Sequence, residues 1–156
     1  MKTLILYATK HGAAKEIAER ISKQLGNAKF YDLKEDGKPQ LLGFDCIIIG
    51  SSVYAGSFRK EAKSYLTEHA DDFKNKKLGL FISGISESDG EDVFKSNVPT
   101  EVLQSVKAKA ALGGIFDPKK SGFFGRLIMK IVTKKTEYIN TISDEKINSF
   151  VEALKS

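Results

Sequence analysis

The sequence is poor in the residues that cross-link small folds. Its 156 residues contain one cysteine and two histidines. Cys46 has no partner for an internal disulfide, and its place inside the apolar run 44–49 predicts a small core residue rather than a reactive thiol. Because the two histidines lie far apart in the sequence, no metal site is expected. A chain of this length buries enough surface to fold without such links.

Long hydrophobic runs are also missing. No apolar segment approaches the roughly 18 residues of a membrane span. The short apolar segment 3–8 is followed by Lys10 and His11, with no signal-peptide cleavage pattern. We therefore expect a cytoplasmic protein whose residues 1–156 form a single domain.

Positive charge is concentrated in one segment of the chain. The formal net charge is +5. Residues 117–135 contain six basic residues and one acidic residue, so this segment accounts for the whole excess and the remainder is neutral. The segment lacks interleaved exposed aromatic residues and any recognisable reading motif, so nucleic-acid binding is not expected.

Short, almost wholly apolar segments alternate with amphipathic ones along the chain. Strands are predicted at 3–8, 28–33, 44–50, 78–84 and 110–116. Helices are predicted at 14–25, closed by Gly26, at 58–70 with Ser57 as N-cap, and at 99–108, 122–133 and 143–154. The polar stretch 85–97 is expected to be a loop or a partial helix. This alternation indicates an α/β fold: a doubly wound five-stranded parallel sheet of order 2-1-3-4-5 with helices on both faces.

A polar turn, residues 9–14, joins the first strand directly to the first helix. It contains neither G-x-G-x-x-G nor G-x-x-x-x-G-K-[ST], so the dinucleotide and nucleotide loops are excluded. Hydroxyl and backbone donors at the positive end of a helix dipole suit a phosphate group. The predicted anion contacts are Thr9, Lys10, His11, Gly12, Ala13 and Ala14.

This turn resembles the phosphate loop of the flavodoxin-like family. That loop reads roughly T/S-x-T-G-x-T after the first strand and binds the phosphate of FMN. Thr9, Gly12 and Ala14 fall at positions of the pattern, but Ala14 lacks the last hydroxyl. Lys10 or His11 compensates in one interpretation, whereas in the other His11 is an exposed side chain without a role. The resemblance implies a flavodoxin-like fold with FMN as cofactor.

Two further loops should meet the same ligand, because doubly wound sheets bind ligands beyond the carboxyl ends of their strands. The resemblance implies that Tyr54 stacks on the flavin ring and that Gly56 allows a peptide flip toward reduced N5. The alternative for Tyr54 is an ordinary surface residue. The predicted flavin contacts in these loops are Ser51, Ser52, Val53, Tyr54, Ala55, Gly56, Ser83, Gly84 and Ile85. No acid–base pair or nucleophile is apparent, so the chemistry is assigned to the flavin and no catalytic residue is predicted.

Three stretches, 2–18, 47–56 and 124–132, resemble the flavodoxin-type, menaquinone-dependent protoporphyrinogen oxidases of haem synthesis. The resemblance implies electron transfer from protoporphyrinogen IX, a tetrapyrrole, through FMN to a membrane quinone. The basic residues that would meet the substrate or the membrane surface are Lys119, Lys120, Arg126 and Lys130.

Other functions remain open. The stretch 85–97 is short and acidic where the oxidases carry a longer, more basic insertion, which favours an electron carrier that serves a redox partner protein. Such carriers are usually acidic, whereas this chain is basic, which favours the enzyme. A flavin-free interaction module on the same fold is a third hypothesis. In one interpretation the segment 122–135 is an ordinary packed helix. In the other, the same helix also forms a basic rim for an anionic membrane or an acidic substrate.

Overall fold

Five parallel strands form the centre of the structure. The computed structural model describes residues 1–86, 88–120, 122, 126–127, 130 and 137–156. The strands are β1 Thr3–Ala8, β2 Lys29–Asp32, β3 Cys46–Tyr54, β5 Lys77–Ser83 and β6 Val106–Ala111, and a short strand β4 Ser57–Phe58 pairs antiparallel with the end of β3. The spatial order β2-β1-β3-β5-β6 confirms the predicted order 2-1-3-4-5 once β4 is set aside.

Helices cover both faces of this sheet. They are α1 Ala13–Gln24, α2 Lys60–Glu68, α3 Glu91–Asn97, α4 Thr100–Ser105 and α5 Asp144–Lys155. Successive strand residues point to opposite faces. In β1, Leu4 and Leu6 therefore pack in the core beneath α2, α3 and α4, whereas Ile5 packs in the core beneath α1 and α5. Cys46 is wholly buried in the second core, and burial raises the pKa of its thiol to about 11, so it is a core residue as predicted.

The central position of β1 fixes where the first loop begins. β1 pairs with β2 on one side and with β3 on the other, and every residue of β1 is buried. The next helix, α1, buries Ile17 and Ile21 against the sheet. Gly26, at φ +73°, turns the chain away just beyond α1, which agrees with its predicted role.

The third strand extends further than predicted. The expected loop 51–57 is a hairpin, because β3 continues through Tyr54 and then turns back into β4. Ala55 and Gly56 form the turn, and both have positive φ angles, as in the tight turns that match strand twist.

The second helix begins later than predicted. α2 starts at Lys60 with Arg59 as its N-cap, rather than at Phe58 with Ser57 as its cap. Phe58 is a strand residue that pairs with Val53 and packs edge-on against Phe94 in the core. The burial of this aromatic ring outweighs the local helix-start signal of the sequence.

The fifth parallel strand lies earlier than the predicted 110–116. The helix expected over 99–108 ends at Ser105, and β6 begins at the next residue. Lys107 and Lys109 are exposed while Ala108 between them is buried. This alternation suits an edge strand, where lysine side chains also discourage pairing with another chain.

The chain leaves β6 through a glycine turn. Gly113, at φ +92°, ends the strand region, and a Cβ atom there would lie 2.0 Å from the carbonyl oxygen of Thr141. The next residues form a separate antiparallel ribbon of β7 Ile115–Phe116 and β8 Ile139–Asn140. The predicted strand 110–116 is therefore wrong in its second half.

Two further predictions concern the stretches 85–97 and 122–133. The stretch 85–97 contains α3 in its second half. The predicted helix 122–133 lies largely outside the described residues. Within this range the described residues Arg126, Leu127 and Lys130 are helical and exposed. Within the described ranges, no helix combines the length and hydrophobicity needed to cross a bilayer.

The glycine in the middle of β3 makes space for an aromatic ring. Gly50 lies opposite Phe81 in the β3–β5 pair, and a Cβ atom at Gly50 would lie 1.9 Å from the Phe81 ring. We expect Gly50→Ala to reduce the free energy of unfolding by about 1–3 kcal/mol through overpacking. Urea denaturation measures this, with Gly84→Ala as control, since its new Cβ atom would meet nothing closer than 3.9 Å. Equal losses in the two variants would contradict the prediction.

Candidate functional site

A cleft opens at the carboxyl ends of β1, β3 and β5, where the strand order reverses. Such switch points are where doubly wound sheets bind ligands. The cleft is lined by Thr9, Lys10, His11, Ala13, Ser52, Val53, Tyr54, Arg59, Ser83, Gly84, Ile85, Gly114, Ile115 and Phe116. The fold thus brings together ten of the fifteen residues predicted from the sequence as cofactor contacts.

The loop after β1 is held by two hydrogen bonds. The Gly12 N–H donates to Thr9 Oγ1 at 2.9 Å, and the Lys10 N–H donates to Ser52 Oγ at 3.0 Å. Gly12, at φ +96°, is the N-cap of α1, and no side chain caps this helix in the described structure. The first N–H groups of α1 have no acceptor within the helix. Such donors at the positive end of the dipole suit an anion.

Five predicted contacts do not line the cleft. Ala14 and Ser51 are fully buried, and Ser51 Oγ accepts a hydrogen bond from the Arg59 N–H at 2.8 Å. Gly12, Ala55 and Gly56 lie in the turns that follow β1 and β3. Ala14 packs against the sheet with its methyl group in the core. It supports the loop from below rather than facing a ligand.

Sequence reasoning missed four residues of the cleft: Arg59, Gly114, Ile115 and Phe116. Arg59 was placed inside a helix that in fact starts one residue later. The other three were assigned to the body of a strand. The pair Gly113–Gly114 was the available signal, because two adjacent glycines are typical of a strand end rather than a strand interior.

The loop after β6 packs closely on the loop after β5. A Cβ atom on Gly114 would lie 2.7 Å from the backbone carbon of Gly84, so only glycine fits there. The Gly84 N–H donates to the Gly113 carbonyl oxygen at 3.1 Å, and the Thr141 N–H donates to the Gly114 carbonyl oxygen at 2.8 Å. These contacts fix β7 as one wall of the cleft.

The basic residues that line the cleft are Lys10, His11 and Arg59, and no carboxylate lines the cleft among the described residues. Lys10 Nζ lies 4.7 Å from the centroid of the Tyr54 ring, which is 42% exposed. Partial burial lowers the pKa of His11, and the charges of Lys10, Arg59 and Lys120 lower it further. His11 is therefore mostly neutral at pH 7.

The remaining basic candidates lie outside the cleft. Lys120 lines an adjoining hollow that shares His11 and Ile115 with the cleft. Lys119, Arg126 and Lys130 are exposed and line neither cavity. Of the four residues predicted to meet a substrate or a membrane, only Lys120 is thus brought to the site.

Asn97 ties the hairpin beside the cleft to α3. Its side chain, 7% exposed, donates to the carbonyl oxygens of Gly56 at 2.8 Å and Val93 at 2.7 Å and accepts from the Phe58 N–H at 3.0 Å. The Gly56 carbonyl therefore has a partner within the protein. A peptide flip at Gly56 would break this hydrogen bond.

Comparison with known proteins identifies the family. The flavodoxin domain family matches residues 4–142. The chain belongs to this family. The flavodoxin-like resemblance seen in the sequence is thereby confirmed.

Two relatives show how far the sequence similarity extends along the chain. The flavodoxin of Helicobacter pylori is 28% identical over 157 residues, which cover 97% of this chain and 94% of that protein. Protoporphyrinogen IX dehydrogenase [quinone] of Escherichia coli K12 is 32% identical over 74 residues, which cover only 45% of this chain and 41% of the relative.

Solved structures share the fold. A Fusobacterium nucleatum flavodoxin bound to flavin mononucleotide matches with a TM-score of 0.61 and 18% identity over 99% of this chain and 98% of that one. The rubredoxin:oxygen oxidoreductase of Desulfovibrio gigas matches with a TM-score of 0.64 and 11% identity over 98% of this chain. This chain spans only 34% of that larger protein.

The hydrogen bonds of Asn97 give a prediction about stability. In Asn97→Ala the buried Phe58 N–H loses its acceptor, which should lower the free energy of unfolding by about 1–3 kcal/mol. The matched control is Asn148→Ala, because Asn148 is exposed on α5. Chemical denaturation of both variants tests this, and an Asn97→Ala protein as stable as the control would refute it.

Proposed function

We propose that this chain binds FMN in the cleft and works as an electron carrier of the flavodoxin type. The observation that carries the proposal is that the uncapped N-terminus of α1 and the exposed ring of Tyr54 border the same cleft. One end offers N–H donors to an anion, and the other offers an aromatic face to a planar ring. A phosphorylated flavin combines these two groups in one molecule.

The residues at the anion end fit a phosphate monoester. Thr9 holds the loop through its bond with Gly12, and its hydroxyl hydrogen remains free to donate. The N–H groups at the start of α1 add further donors. The described residues that line the cleft include basic side chains and no carboxylate, which favours a doubly charged group.

The residues at the other end fit an aromatic ring system. Tyr54, Ile85 and Phe116 supply apolar surface, while Gly84 and Gly114 keep side chains out of the way. When bound, FMN supplies the group that accepts and gives up electrons. With FMN bound, the side chains that line the cleft would position the ring and exclude water from it.

Two observations support a carrier rather than an enzyme. Among the described residues that line the cleft, there is no nucleophile paired with a base and no pair of carboxylates that could move substrate protons. The similarity to the Helicobacter pylori flavodoxin extends over nearly the whole chain. A carrier needs only the flavin and a surface on which a redox partner protein docks.

The purified protein should contain FMN, or the apoprotein should bind it. An absorbance spectrum and a fluorescence titration test this, and failure to bind added FMN would refute the proposal.

Tyr54→Ala should weaken FMN binding about 10-fold, because stacking on an aromatic ring is worth roughly 1–3 kcal/mol. Phe30→Ala removes a half-exposed aromatic ring on β2, outside the cleft, and should leave the affinity unchanged.

A second candidate function is oxidation of protoporphyrinogen IX with a quinone acceptor. The local similarity to the Escherichia coli dehydrogenase favours it, as does the basic turn with Lys119 and Lys120 near the cleft. These side chains suit the carboxylates of a tetrapyrrole. A quinone acceptor would require peripheral contact with a membrane, for which exposed Arg126 and Lys130 are suited.

An assay with FMN-loaded protein separates the two functions. As a carrier, the protein should show no turnover of protoporphyrinogen IX with a menaquinone analogue, yet it should accept electrons from a flavodoxin reductase. Turnover that falls in the double variant Lys119→Gln/Lys120→Gln, and not in the exposed-surface control Lys15→Gln, would favour the oxidase instead.

A further inference from the structure

We propose that His11, Arg59 and Lys120 form a cationic clamp for the flavin phosphate, so that this chain selects FMN over unphosphorylated riboflavin by charge. The inference rests on the proposed function and deepens it. These three side chains would act together with the backbone N–H groups at the start of α1. Two of the three residues were not among the phosphate contacts predicted from the sequence.

Neutral side-chain donors are scarce at this end of the cleft. Thr9 is the one hydroxyl-bearing residue in the segment 9–16. Its oxygen accepts the Gly12 N–H, so it offers a single donor, its hydroxyl hydrogen. Ser52 Oγ, the nearest hydroxyl of β3, is engaged with the Lys10 N–H. Ala14 has its methyl group in the core, so α1 has no side-chain cap of its own.

Basic side chains from three separate parts of the chain converge at this end of the cleft, where neutral side-chain donors are few. His11 follows β1, Arg59 is the N-cap of α2, and Lys120 follows β7. His11 and Arg59 line the cleft together, and His11 and Lys120 line the adjoining hollow together. His11 thus lies between the other two. The charges of both lower its pKa, which shows that their fields meet at this imidazole.

Among the described residues, Arg59 and His11 line a cleft that has no carboxylate, whereas two carboxylates line the hollow that His11 shares with Lys120. In the described part of the chain, Arg59 forms no ion pair with a carboxylate. The carboxylates of Glu16 and Asp117 line the hollow beside His11. The phenol of Tyr138 lines it too. Glu16 is paired with Arg20, and Asp117 Oδ1 accepts the Lys119 N–H at 2.9 Å. Converging like charges are costly when the site is empty, and a doubly charged phosphate offsets that cost.

Binding also couples to protonation of His11. Partial burial, together with the charges of Lys10, Arg59 and Lys120, holds its pKa below the ordinary value. An adjacent phosphate would raise that pKa, so the contribution of His11 to FMN binding strengthens as the pH falls toward the range in which free His11 titrates. Riboflavin has no phosphate, so its affinity should not follow this dependence.

The test compares the affinities of apoprotein variants for FMN and for riboflavin. Arg59→Gln and Lys120→Gln should each raise the Kd for FMN about 10-fold, as expected for loss of one charge-assisted hydrogen bond. The Kd for riboflavin should stay the same. Lys60→Gln is the matched control, because it removes the same charge from the exposed residue next to Arg59 and should change neither value. His11→Ala should abolish the pH dependence that only FMN shows.

Salt provides a second measurement that needs no variant. For the wild-type protein, raising the salt concentration from about 0.05 M to 0.5 M should weaken FMN binding and leave riboflavin binding almost unchanged, because screening acts on exposed charges. Equal affinities of the wild type for FMN and riboflavin, or variants that lose both ligands alike, would overturn the clamp and leave the carrier proposal intact. Wild-type protein that binds neither flavin would overturn both.

Discussion

The parallel pairing of β1 with β3 is the contact on which the rest of the structure depends. It places Ala8 opposite Ser51, so the loops that follow both strands begin at the same edge of the sheet. The helices that follow lie on opposite faces, α1 on one and α2 on the other, which leaves a gap between the loops. A site at this edge is a geometric result of the strand order, whatever side chains line it.

The side chains then decide what the gap can hold. Uncapped N–H groups at α1 suit an anion, and the exposed Tyr54 ring suits a planar partner. Among the described residues that line the cleft, the side chains with an acidic or basic group other than Tyr54 are basic, although the chain outside 117–135 is neutral. Lys10, Arg59 and Lys120 all act on His11, and only the fold brings positions 59 and 120 to it.

Backbone contacts hold the loops around the cleft in place. Gly114 contacts the backbone of Gly84, and Asn97 holds the Ala55–Gly56 turn through a carbonyl oxygen. Such contacts leave little freedom to the loops, because each involves a buried or closely packed group. A preorganised cleft of this kind suits a protein that holds one cofactor and exchanges electrons, since little reordering is needed at each step.

The sequence by itself determined the class of fold, the strand order and the turn after β1. Runs such as 3–8 and 46–50 are apolar enough to be strands buried on both faces, and this property is local. Only the tertiary structure decided where β3 and β6 begin and end. Phe58 is a strand residue because its ring meets Phe94 and its N–H meets Asn97, 39 residues away. The sequence likewise does not show that Arg59 and Lys120 each line a cavity with His11, because distant residues become neighbours only when the chain has folded.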